Sequence, residues 1–321
     1  MRTRMKLMAC LQLLMVAFQA TLITMSSAGL QYNFYGSTCS NAEATVKNVV
    51  DDMIDADPTM AAAFIRLLFH DCFVMGCDAS ILLDPSAANG QPEKSAIPLR
   101  GYDAVNRIKA AVEAICPGKV SCADILALAA RDSVAKAAGF TFLIPSGRRD
   151  GTASSAFSVF SSIPSPFFNA QQLVDSFAAK NLTVNDLVAL SGAHSIGVAH
   201  CSAFTNRLRP TVDPSLDPAY AAELNATCPG GAADRVVNNS PVAPNTLSNQ
   251  YYRNALAGRV LFTSDAALLT RGDTAARVNA SAADPTAWMA RFAASMVRMA
   301  GIEVLTGAQG EVRRFCNATN T

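Results

Sequence analysis

The sequence predicts a mostly α, two-lobed fold with few and short strands. Apolar residues recur at helical spacing in one segment after another, capping residues stand at the segment starts, and alternating strand patterns are scarce.

Asp57-Pro58 supplies an N-cap and a first-turn proline for a helix carrying Phe64, Leu67, Leu68 and His70. From Gly101 to Ile115 the apolar positions are Val105, Ile108, Val112 and Ile115. Ser121 and Asp124 form a capping-box pattern before Ile125, Leu128 and Ala129; Thr183 and Asp186 repeat it before Leu187, Leu190 and His194. Asp284-Pro285 opens a long helix with Trp288, Phe292, Met296 and Met299 on one face. Stretches rich in proline, serine and asparagine, at about 84–100, 144–169 and 209–250, read as loops.

The chain has 321 residues, half of them hydrophobic, which is ample for one large domain or two smaller ones. A formal charge of +1 gives no electrostatic case for nucleic acid. Arg2, Arg4 and Lys6 precede an apolar run from Leu7 to about Met25, and Ser26-Ser27-Ala28 follows. Residues 1–28 therefore read as a secretory signal peptide, leaving 29–321 as the mature domain. Gln12 and Gln19 interrupt the run and no basic stop-transfer follows, so the expectation is no membrane anchor once the signal is removed. Its three positive charges go with it, taking the net charge from +1 to −2. Of nine cysteines, Cys10 lies in the signal; the remaining eight imply four disulfides in a secreted chain, with the pairing left open. Asn181, Asn225, Asn238, Asn279 and Asn317 head glycosylation sequons, each expected on a surface loop.

Only three histidines occur: His70, His194 and His200. A lone inward histidine is usually a satisfied core residue. Two features argue otherwise. Arg66 lies one turn before His70 on the same face, and a buried arginine needs a partner or an anionic ligand. Around His194 the residues Ser191, Gly192, Ala193 and Gly197 are small, leaving room for something flat. One histidine on each of two helices suits a planar metal cofactor, with one imidazole on the metal and the other moving protons on a bound substrate. Separately, the run Asp71, Val74, Gly76, Asp78, Ser80 alternates side-chain and backbone oxygens, which suits a hard cation such as calcium.

"FHDCFVMGCDASILLD", "CPGKVSCADILALAARDSV", "SGRRDG", "DLVALSGAHSIGVAHC" and "VLTGAQGEVRRFC" appear in that order. With them the chain resembles the class III secretory plant peroxidases of the haem peroxidase superfamily, over essentially all of the mature part from Gln31 to Asn317. The resemblance implies haem b, iron protoporphyrin IX, between distal and proximal helices. Arg66, Phe69 and His70 would form the distal pocket: His70 moves a proton between the oxygens of hydrogen peroxide, Arg66 supports the developing charge, and Phe69 limits access. His194 would be the axial iron ligand, and Asp265 in "FTSDAALL" the carboxylate on its other ring nitrogen. Asp71, Val74, Gly76, Asp78 and Ser80, with Glu93 through water, match a distal calcium site. The implied disulfides are Cys39–Cys116, Cys72–Cys77, Cys122–Cys316 and Cys201–Cys228. Pro164 matches a carbonyl at the aromatic-donor entrance, and His200 matches no catalytic position.

Two departures stand out. Between Glu93 and Gly101 the chain is about four residues short of the family pattern, and the asparagine that accepts from the distal histidine is missing. At the family's proximal calcium site Ser240, Ala243 and Ser248 replace its residues; Ser195 still offers oxygens, but no carboxylate remains. That second site is expected to be weak or empty. The resemblance as a whole implies a secreted, monomeric peroxidase of the cell wall or apoplast that uses hydrogen peroxide to oxidise small phenolic donors by one-electron steps. The alternative is a glycosylated extracellular haem-binding protein with weak turnover, because the distal asparagine is missing.

Overall fold

In the computed structural model, which describes residues 29–230 and 234–320, twelve α-helices and two three-residue strands are joined by 3-10 turns and loops. The signal expected over residues 1–28 lies outside the described residues. Helices α1 (Ala42–Ala56), α2 (Met60–Val74), α3 (Tyr102–Ile115) and α4 (Cys122–Ala138) pack on one another as a first lobe. After the short α5 (Ala156–Ser162), a second lobe is built from α6 (Ala170–Ala178), α7 (Val184–Ser191), and the later helices α9 (Gln250–Leu256), α11 (Gly272–Ala283) and α12 (Pro285–Met299). Between α7 and α9, β1 (Val198–His200) pairs antiparallel with β2 (Val236–Asn238), Ala199 opposite Val237, and α8 (Pro218–Thr227) lies between them in sequence. The small α10 (Thr263–Ala267) precedes α11.

One continuous apolar core runs through both lobes; where they meet, Phe73 of α2 stacks edge-on to Phe177 of α6 at 5.1 Å. A satellite cluster of Phe204, Leu208, Tyr220, Leu224 and Leu261 surrounds the Cys201–Cys228 bridge. The other bridges join Cys39 to Cys116, Cys72 to Cys77 and Cys122 to Cys316.

The capping signals act as the side chains permit. Thr183 and Asp186 make the full reciprocal box on α7, and Asp284 caps α12 by accepting from Ala287 N at 2.9 Å. Ser121 accepts from Asp124 N at 3.1 Å, but Asp124 does not complete the box. Its carboxylate instead takes Tyr35 Oη at 2.6 Å, Gly147 N at 2.7 Å and the buried Arg148 Nη1 at 2.8 Å. Helix α2 begins two residues later than expected, since Asp57 accepts from Thr59 N (3.0 Å) and Thr59 Oγ1 (2.6 Å) and closes a turn ahead of it.

The three expected loops hold more structure than their composition announces. They contain a 3-10 turn at Glu93–Ser95, helix α5, and α8 with β2. Helix α5 buries only Val159 and exposes Phe157 and Phe160, so its apolar residues do not form a core-facing stripe. Helix α8 carries a signal that composition hid: Asp217 caps Tyr220 N at 2.9 Å and Pro218 opens the first turn. Two sequon asparagines, Asn225 and Asn279, lie within α8 and α11 rather than on loops. Among the described residues no helix is long and apolar enough to cross a membrane.

Asp186 joins α7 to α12. It accepts from Thr183 N at 2.9 Å, Ser295 Oγ at 2.7 Å and Arg298 Nε at 2.7 Å. Burial opposes its ionisation, but these donors, Arg298 foremost, hold its carboxyl below the usual range. Asp186→Ala is expected to cost roughly 2–3 kcal/mol at neutral pH in urea unfolding. A group with a depressed folded pKa stabilises above its unfolded value, so the gap between wild type and variant should shrink as pH falls below about 3.9. A gap independent of pH would show that the charge plays no part.

Candidate active site

Between Ala61 and Val74, helix α2 is covered on every side but one. Ala62, Arg66 and Phe69, spaced i, i+4, i+7, are the side chains left accessible. Arg66 lies on this stripe, and burial of its guanidinium among the surrounding protein lowers its pKa from the ordinary value. The stripe leads toward His194's segment: a Cβ built on Gly197 would sit 3.2 Å from that of Ala62.

His70 borders the stripe and is itself 3% exposed. Arg66 Nε donates to His70 Nε2 at 3.3 Å. A guanidinium nitrogen only donates, so Nε2 carries the lone pair and the ring proton sits on Nδ1. Burial, then the Arg66 charge, pushes the imidazole down to about 3, which keeps it a neutral base at physiological pH. His70 Nδ1 has no hydrogen-bond partner in the protein. The Phe69 ring stands edge-on to His70 at 5.4 Å and is tilted against Phe73 at 4.5 Å.

His194 does not lie on an α-helix. Helix α7 tightens into a 3-10 turn over Gly192–Ser195, and His194 projects from that turn. Its Nδ1 lies 2.9 Å from Asp265 Oδ1. Asp265, on α10 and 4% exposed, also receives Tyr251 Oη at 2.8 Å and Phe262 N at 3.4 Å. A carboxylate at Nδ1 holds the proton there and leaves the Nε2 lone pair free to ligate a metal. The ring is 41% exposed, so that edge is accessible. Tyr251 was missed from sequence; its only signal was the doublet in "NQYYRN", which belongs to no helical face pattern. The small size of Gly192 serves packing inside the protein: a Cβ there would lie 2.8 Å from both Trp288 Nε1 and Tyr252 Oη.

Immediately beyond His70 stands a buried acidic loop. Asp71 accepts from Ala79 N at 3.0 Å, Asp78 from Ser80 N at 2.9 Å, and Glu93 from Ser154 Oγ at 3.2 Å. Ser80 Oγ and Glu93 Oε2 have no partner. Burial, then the charges of Asp78 and Glu93, raise Asp71 well above the carboxylate range; burial raises Asp78, and it pushes Glu93 up to about 7. The backbone is held in place by the Cys72–Cys77 bridge, by Arg313 Nη2 donating to Asp78 O at 3.1 Å and Ala79 O at 2.7 Å, and by Gly151 N donating to Asp78 O at 2.8 Å. Thus "SGRRDG" and "RRFC", which suggested no chemistry of their own, buttress this loop. Among the described residues no group of three or more His, Cys, Asp or Glu is arranged to hold a metal. A cation here would depend on backbone and hydroxyl oxygens as well as carboxylates.

The serine cluster near His194 differs in kind. Ser195 Oγ donates to Gly192 O at 2.8 Å and accepts from Ser248 N at 3.0 Å. Ser240 Oγ donates to Val242 O at 2.5 Å and accepts from Asn254 Nδ2 at 3.1 Å. Ala243 contributes no side-chain oxygen. Elsewhere, Ser264 N donates to Pro166 O at 2.9 Å, tying the loop that carries Pro164 to α10. His200 is exposed beside Asp234.

The sequence matches the peroxidase family over residues 46–307. Peroxidase 2 of Zea mays is 45% identical over 320 residues, covering 94% of this chain and 95% of its own length. Peroxidase 39 of Arabidopsis thaliana is 44% identical, covering 97% and 98%. Peroxidase 1 of Oryza sativa subsp. japonica is 44% identical, covering 96% and 98%. With these matches spanning both histidine segments in one helical fold, the chain belongs to the haem peroxidase family, in the plant class III branch that its signatures resemble, and it is a peroxidase.

Proposed function

We propose that residues 29–321 form a secreted, monomeric peroxidase domain that takes haem b on His194 Nε2 and couples reduction of hydrogen peroxide to one-electron oxidation of small phenols, whose radicals then couple in the cell wall. The observation that carries this reading is the 2.9 Å contact between His194 Nδ1 and the buried Asp265 carboxylate. It leaves one accessible imidazole lone pair, and the uncovered stripe of α2 presents Arg66 and Phe69 beside His70. These residues fit the haem that the family implies.

When bound, haem supplies the iron and the electrons that reduce the peroxide bond. His70 Nε2 takes the proton from one peroxide oxygen and returns it to the other, which leaves as water. Arg66, whose guanidinium borders His70 Nε2, would support the charge on the departing oxygen. Phe69 limits entry to molecules as small as peroxide. Two phenols then each give up one electron and one proton, completing two waters. They approach past Pro164 and the exposed Phe167. The weak-turnover alternative is not favoured, since the relatives are named as peroxidases along their whole length.

Calcium fits the distal loop and not the proximal serines. Asp71, Asp78 and Glu93 repel one another in a buried setting where Ser80 Oγ and Glu93 Oε2 are unpaired, and a divalent cation offsets both penalties. The proximal hydroxyls are already satisfied by protein and bring no charge.

His194→Ala is expected to abolish the Soret absorbance on haem reconstitution; full absorbance in that variant would refute the assignment. Stopped-flow mixing with peroxide should give a rate that holds from neutral pH downward and declines only as His70 is protonated near about 3. A midpoint near the ordinary imidazole value of about 6.5 would mean that His70 is not desolvated. Metal analysis should find one tightly held calcium per chain, and chelation should lower the melting temperature reversibly. Two tightly held ions would contradict the reading of the serine cluster.

A further inference from the structure

Three buried polar atoms around the distal histidine lack a partner: His70 Nδ1, Tyr102 Oη and Glu93 Oε2. Their chemistry is complementary. The first is a donor, because Arg66 fixes the other ring nitrogen as acceptor. The second both accepts and donates, and the third only accepts when ionised.

Several contacts bring Tyr102 into this region. It opens α3 directly after Gly101, which has no side chain; a Cβ there would lie 2.8 Å from Leu67 Cδ1 and 3.7 Å from Ala63 Cβ. The start of α3 therefore lies against α2 one turn before His70. Lys94, next to Glu93, places its Nζ 4.5 Å from the centre of the Tyr102 ring. Burial first, then the Glu93 carboxylate, raises the phenol, while Arg66 opposes them, so Tyr102 lies within electrostatic reach of both neighbours.

We propose that Tyr102 is a positioning residue for the distal histidine: one buried water accepts the Nδ1 proton of His70 and is held in place by the Tyr102 hydroxyl and by Glu93 Oε2. This rests on the reading of His70 as the proton carrier. The water so held takes over the duty of the amide that the shortened Glu93–Gly101 segment lacks. It holds the ring with Nε2 toward the substrate and strengthens Nε2 as a base. A single water satisfying three such groups is an ordinary buried water.

Tyr102→Phe in the haem- and calcium-loaded enzyme tests it, because the ring is kept and only the hydroxyl is lost. In wild type, nitrogen-15 histidine labelling should show a hydrogen-bonded, slowly exchanging Nδ1 proton on His70. In the variant that proton should exchange at least about tenfold faster, the reaction with peroxide should slow by roughly tenfold or more, and the KM for the phenol should stay unchanged. Melting adds a second measurement. Losing a bridging hydroxyl lowers the melting temperature by roughly 2 °C, whereas losing an unpaired buried hydroxyl leaves it level or raises it. An unchanged Nδ1 proton, or a variant at least as stable as wild type, overturns the proposal. The proton-exchange readout does not depend on turnover. Wild type that fails to turn over peroxide would therefore defeat the peroxide reading of His70 and leave the Tyr102 contact to be judged by itself.

Discussion

The buried Asp265 carboxylate is the anchor of the proximal side. A lone ionised carboxylate at 4% exposure would be costly, and it is tolerated because Tyr251, Phe262 and His194 all direct groups at it. That requirement places α9, α10 and the turn after α7 together. It also sets which nitrogen of His194 carries its proton, and thus which is free. Tyr252 and Trp288 close the turn from behind by bonding to carbonyls at the end of α7, Tyr252 to Val188 O at 2.7 Å and Trp288 to Ala189 O at 3.4 Å.

The two lobes handle buried oxygen in opposite ways. In the first, carboxylates gather where their pKa values rise and a hydroxyl stays unpaired, an arrangement that calls for positive charge. In the second, serines close on themselves and on nearby backbone, so nothing is left to neutralise. Both clusters adjoin a histidine, at Asp71 and at Ser195. The difference between them is one of charge rather than of position in the fold.

Much of this was legible in the chain. The caps at Thr183 and Asp284, the apolar stripe of α12 and that of α3 as far as Val112 follow from local rules, whereas Ile115 at the end of α3 is exposed and Lys109 is buried in its place. Arg66, His70 and His194 stood out because charged or titratable residues in apolar segments need a reason. What remained hidden depended on distance along the sequence. Tyr251 meets Asp265 because α9 packs against the turn that carries His194, and Arg313 reaches Asp78 across 235 residues of sequence. Asp124 carries a capping pattern locally, yet its carboxylate answers to Arg148. Helix α5 was invisible because its phenylalanines face water. Asp265 in particular looked like a solvated turn acid until family resemblance singled it out; its burial is a property of the assembled lobe.

The Asp78 loop of the first lobe is gripped by Arg313, 235 residues downstream, and the bridge from Cys122 to Cys316 spans 194 residues to the same tail. A ribosome emits α2 long before these residues. The first lobe therefore cannot be finished as it emerges: its oxygen-lined turn waits, unclasped, for a segment made more than two hundred residues later, and synthesis order makes that segment the latch.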